Sequence, residues 1–173
     1  MWPFKRKRQE MTVDVAAKIF ADKIRLDIEP YTLALDRFAV THDNNIELSQ
    51  ILGELWIFQL TLLDYIWSLT EFPTHLRDRM LPIIVVGHAK LDHKHYIARS
   101  HYYGEKISTT APEKVLLVAG NALAEIIDND YFGYKEANGK KLFWGAVSSL
   151  ATKTMKSLSD ITFDVHAKYE IIL

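Results

Sequence analysis

The chain has 173 residues, so folding should bury about 70% of the surface that an extended chain exposes, enough for one core without staples. It contains no cysteine, which excludes disulfides, thiolate metal sites, iron–sulfur clusters and cysteine nucleophiles together and suits a reducing compartment such as the cytoplasm. Lys plus Arg number 21 against 22 Asp plus Glu, and a net charge of −1 offers no global attraction to nucleic acid.

Residues 1–10 read as a basic and aromatic leader ahead of a single helical domain over 11–173. Trp2 and Phe4 stand beside Lys5, Arg6, Lys7 and Arg8, a composition suited to weak contact with an anionic membrane surface and equally to a solubilising tail. No apolar stretch follows that would serve as a signal peptide. The basic run has no continuation beyond residue 8, which argues against nucleic acid.

From residue 12 to 28, Val13, Ala17, Phe20, Ile24 and Ile28 recur at helical spacing, and Pro30 should stop this first helix. Tyr31, Leu35 and Phe38 suggest a short second one. Asn44 with Glu47 has capping-box spacing and should open a long helix over about residues 45–69. That segment is apolar nearly all round at Leu55, Trp56, Ile57 and Phe58, the mark of a helix surrounded by others. Its apolar run, Leu55 to Leu69, contains Gln59, Thr61, Asp64 and Ser68 and at about fifteen residues is short of the roughly 20 needed to span a bilayer.

Thr74 should cap a helix running to about Gly104 with a kink or break at Pro82. A loop through Ala111 and Pro112 precedes another helix ending near Asp128, in which Gly120 fits close helix packing better than phosphate binding. Asn138-Gly139 reads as a linker, with a β-hairpin across it as the alternative. Phe143, Trp144, Val147, Leu150, Ala151 and Leu158 then keep the helical period. In the tail, Ile161, Phe163, Val165, Ala167, Tyr169 and Ile171 alternate with polar residues, which favours a strand over the helix that the same residues also permit. A lone strand must pair with this chain, a second copy or another protein, so Ile161, Phe163, Val165, Tyr169 and Ile171 are candidate interaction residues. The fold class is mainly α: a bundle of five to six helices with a possible C-terminal strand.

Four of seven histidines lie between residues 87 and 101. At 100° per residue His88, Asp92, His95 and Arg99 fall within about 60° of one another, flanked by apolar side chains. A buried hydrogen-bonded network of Asp64, His88, Asp92, His95 and Arg99 is the simplest account. A transition-metal site is the alternative, with His88, Asp92 and His95 as ligands and Glu54 or Asp64 completing the shell from the central helix. Asp64 sits among apolar neighbours and needs a partner unless its face is solvated, while Glu125 and Asp128 look like a solvated helix end. Phosphate loops, nucleophile elbows and dinucleotide fingerprints are absent, so no standard cofactor is expected. These features favour a non-enzymatic interaction or regulatory protein with a protein partner or a second copy of itself. A metal-binding bundle and a peripheral membrane protein are the alternatives.

Overall fold

The computed structural model describes residues 8–40, 48–86, 93–133 and 137–172. Six α-helices dominate the described residues: α1 (Val13–Val40), α2 (Leu48–Leu69), α3 (Thr74–Val86), α4 (His93–Ser108), α5 (Val115–Ile127) and α6 (Ala137–Lys168). A 3₁₀ turn, Pro112–Lys114, leads into α5, and a π turn, Asp128–Phe132, extends it. Two short strands, β1 (Gln9–Thr12) and β2 (Tyr169–Ile172), pair in parallel and bring the two ends of the described chain together. Residues 9 and 10, grouped with the leader on composition, are thus part of β1. No helix is long and apolar enough to cross a membrane among the described residues.

The core forms around α2, where Leu55, Trp56, Ile57, Phe58, Leu60, Leu62, Leu63, Ile66 and Trp67 are all buried. Trp67 meets Phe20 of α1 edge-on at 5.1 Å and stacks on Phe72 at 4.9 Å. Glu71 takes a left-handed backbone (φ 52°) that ends α2, and the Phe72 amide returns to the Trp67 carbonyl at 2.9 Å.

Pro30 does not stop α1. It removes the N–H that would bond the Leu26 carbonyl, but both residues are on the exposed side, where water can serve that oxygen. The buried row Phe20, Ile24, Ile28, Tyr31 and Leu35 continues in register across it, so packing overrides the local break and the two expected helices are one. Pro82 is likewise exposed inside α3, which continues past it to Val86, the last residue described in that segment. Asn138-Gly139 falls in the first turn of α6 and not in a linker. The expected start of the central helix at residue 45 lies outside the described residues.

The tail corrects the strand expectation in part. Residues 161–168 are helical because Leu158, Thr162 and Val165 form a buried row at helical spacing, while Phe163, one of the supposed inward residues, is 61% exposed. Only Tyr169–Ile172 is strand. It packs the half-buried Tyr169 and Ile171 beside the buried Met11 of β1 and turns Glu170 and Ile172 outward.

Two seams tie the bundle together laterally. Tyr31 shares a 2.7 Å hydrogen bond with Thr154, and the Ser157 hydroxyl donates to Asp27 at 3.1 Å, locking α1 to α6. Between α5 and α6, Gly120 allows the closest approach: a Cβ there would stand 2.9 Å from the Ser148 Cα.

Candidate functional site: a buried carboxylate and an open strand pair

Helix α2 presents one acidic side chain to the interior, Glu54, with 0% of its surface exposed. An ionised carboxylate there requires partners for both oxygens. Helix α4 supplies them from positions four apart, which its pitch stacks on one face. The Tyr103 hydroxyl donates to Oε1 at 2.6 Å, His95 Nε2 lies 3.1 Å from Oε2, and Arg99 Nε lies 3.3 Å from the same oxygen. The Tyr103 ring also meets Phe58 edge-on at 5.3 Å, fixing the phenol from the apolar side.

The π turn after α5 closes the cluster. Its wider loop directs Asp130 to Arg99, whose Nη2 donates to the Asp130 carboxylate, so one guanidinium bridges two acids from different elements. Burial lowers the Arg99 pKa, yet Glu54 and Asp130 together outweigh it and hold the group above its usual value. Burial, reinforced by the Glu54 charge and hydrogen bond, drives the Tyr103 phenol well above 10.0. Asp128, at the start of the π turn, is buried; Trp144 Nε1 donates to it at 3.1 Å and Lys140 pairs with it at 3.0 Å. It is therefore no solvated helix end, whereas Glu125 is exposed and accepts a 3.3 Å hydrogen bond from Tyr102.

Of the residues singled out from the sequence, Glu54, His95 and Arg99 come together. Asp64 does not join them. Ten positions along α2 from Glu54, it forms a two-point ion pair with Arg77 of α3, Nε–Oδ1 2.6 Å and Nη2–Oδ2 3.0 Å. His88 and Asp92 lie outside the described residues, as do Trp2, Phe4, Lys5, Arg6 and Lys7; Arg8 is exposed. No group of three or more metal-capable side chains occurs among the described residues. Sequence reasoning missed Tyr103 as the principal donor, although its spacing of four from Arg99 and eight from His95 puts it on the same helical face. Nothing in Asp128-Asn129-Asp130 announces the π turn that delivers Asp130.

A second feature lies at the opposite end of α2. There Phe163 of α6 is exposed beside Thr70 and Phe72, which follow α2, while the strand pair packs on α1 and α6 with Ile172 of β2 and Val15 of α1 exposed. Among the five candidate interaction residues, Val165 belongs to the core, Tyr169 and Ile171 line the inner face of β2, Ile161 is half-buried and Phe163 is open to solvent. No third strand flanks β1 or β2 among the described residues, so each keeps an outer edge of backbone N–H and C=O groups. No protein-family model, curated protein or solved structure matches the chain.

Proposed function

We propose that the chain is a non-enzymatic interaction protein that docks an extended strand of another polypeptide on its terminal strand pair. The observation that carries this reading is the open outer edge of a two-stranded sheet set among exposed apolar side chains. Two four-residue strands form a marginal sheet alone, and an added strand supplies both backbone hydrogen bonds and apolar cover. The buried Glu54 cluster then acts as an internal brace between α2, α4 and the π turn. Native mass spectrometry of the full chain and of a Glu10→Pro variant tests it. The proline removes one strand N–H, so assemblies should be lost while helical circular dichroism is kept; assembly unchanged by the proline would refute the reading.

One observation favours a second reading, metal binding. His95 is 39% exposed in its side chain and holds its Nε2 against a buried carboxylate, the arrangement in which an outer acid orients a ligating imidazole. In that reading Nδ1 would meet the ion with His88 and Asp92, and Glu54 would support His95 without ligating, because Tyr103 and Arg99 occupy its remaining directions. Elemental analysis of untagged protein, with a His95→Ala variant as control, decides it: stoichiometric metal absent from the variant supports the site, and no metal after supplementation removes it.

A further inference from the structure

We infer that the docked strand belongs to a different polypeptide and lies on the free edge of β2, with one basic residue beside Glu170 and an apolar residue on either side of it. The inference rests on the docking reading above and specifies the chemistry of that partner.

Charge selects the central residue. The parallel register sets Glu10 of β1 beside Glu170 of β2, and both are exposed on the outer face of the sheet. Adjacent strands stand about 4.8 Å apart, so two like charges held side by side oppose the pairing that places them there. Among the described residues neither acid forms an ion pair. The cation nearest to Glu170 in sequence, Lys168, is held by Asp164 at 2.8 Å. A basic side chain on a third strand would relieve the opposition. A second copy brings none in matched register, because β1 and β2 both carry an acid at this position.

Apolar surface selects the flanks and the edge. Successive residues of a strand alternate between faces, and residues opposite one another across a ladder share a face whichever way the strands run. A residue docked beside Glu170 therefore lies on the outer face, and its two neighbours fall on the inner face beside Tyr169 and Ile171. Both of these are half-buried against the core, so they leave apolar surface for an added strand to cover. At the β1 edge the corresponding neighbours would meet Gln9, polar and exposed, and Met11, already buried, so less would be gained. The docked register uses only residues of β2 itself, Tyr169–Ile172. Among the described residues β1 is the strand that holds β2 extended, so damage to β1 also disturbs this edge.

Two short synthetic peptides test the inference, each alternating valine and threonine, with lysine or glutamate in place of the central threonine. Titrated into the isotope-labelled full chain, the lysine peptide should shift the backbone amide resonances of residues 169–172 and bind about tenfold tighter than its glutamate twin. Exchanging that lysine with a neighbouring valine turns the charge to the inner face and should remove most of the advantage. Glu170→Lys, on an exposed site, should keep the helical circular dichroism and reverse the order of the two peptides. Equal affinity of the two, an order that survives Glu170→Lys, shifts confined to other residues, or no binding of either at about 1 mM overturns the inference. Self-association that excludes both peptides overturns it too. If the peptides fail, an assembly lost in Glu10→Pro still leaves the docking reading standing, and the absence of any such assembly as well removes both.

Discussion

Replacing Gly120 by alanine tests the helix packing most sharply, because two opposing effects of known size meet at one atom. In an open helix the change is favourable by roughly 1 kcal/mol, since alanine loses less backbone entropy than glycine. At Gly120 the new methyl would stand 2.9 Å from the Ser148 Cα, 3.2 Å from its Cβ and 3.3 Å from the Ala151 Cβ. Ordinary carbon contacts lie at about 3.5–4.0 Å, so α6 must retreat by several tenths of an ångström from a seam that is otherwise closed. The nearest atom is backbone, so no side-chain rotation relieves the overlap. Overpacking of this kind costs about 1–3 kcal/mol, leaving a net loss of about 1 kcal/mol. Gly145 supplies the internal control: it is exposed in the same helical hairpin and an added Cβ there meets nothing within 4 Å, so Gly145→Ala should gain about 0.5–1 kcal/mol. The two variants should thus melt on opposite sides of the parent, separated by about 4–8 °C for a chain of this length. Thermal and urea unfolding followed at 222 nm measures both. A Gly120→Ala protein as stable as the parent, or one that matches Gly145→Ala, would show that α5 and α6 are not in the close contact described.

The Glu54 cluster should behave as a unit. Glu54→Ala strands part of the Arg99 charge, and because Arg99 is 24% exposed and keeps Asp130 the loss should fall below the full cost of breaking a buried pair, about 2–3 kcal/mol in chemical denaturation; a change under about 0.5 kcal/mol would deny the brace. Tyr103→Phe deletes one hydrogen bond to a charged group and should cost about 1.5–3 kcal/mol, with little further loss in the Glu54→Ala background, which a double-mutant cycle reads. Burial raises the phenols of both Tyr31 and Tyr103 above 10.0, so the folded state favours the neutral forms. Their contribution is complete below pH 10 and is lost as the pH climbs beyond it toward the folded values; phenolate absorbance for these two rings should therefore appear only with unfolding, and titration before loss of helix would contradict their burial. Gln59 is buried and, among the described residues, neither of its amide atoms has a hydrogen-bond partner, so Gln59→Met, similar in shape and apolar, should raise stability by about 1–2 kcal/mol, whereas a loss would reveal a partner for the amide.

Periodicity alone identified a mainly helical chain and its central helix, because burial of a stripe leaves a 3.6-residue pattern in the order of side chains. It failed where that pattern met a local signal. Pro30 looked like a stop, but Phe20, Ile24, Ile28, Tyr31 and Leu35 share one buried face, and core contacts outweigh a single lost hydrogen bond whose carbonyl water can reach. Residues 161–168 fit periods of both two and 3.6; the neighbours of Leu158, Thr162 and Val165 decided for the helix, and only burial distinguishes the outward Phe163 from the inward Val165. Gly120, by contrast, was legible as a packing residue, since a small residue amid an apolar helix has few other uses.

The same division runs through the candidate sites. The order of residues determined that His95 and Arg99 share a helical stripe and that an acid on the central helix would need partners, because both follow from helix geometry and the cost of a buried charge. Which acid met that stripe was decided only in three dimensions: Glu54 lies inside and Asp64 turns to Arg77, a difference set by how α2, α3 and α4 cross. Asp130 enters through a π turn that no local pattern specifies, and β2 finds β1 across nearly the whole length of the chain. Sequence fixes which groups must be satisfied within one helix or strand, while pairing between elements depends on every side chain that packs between them.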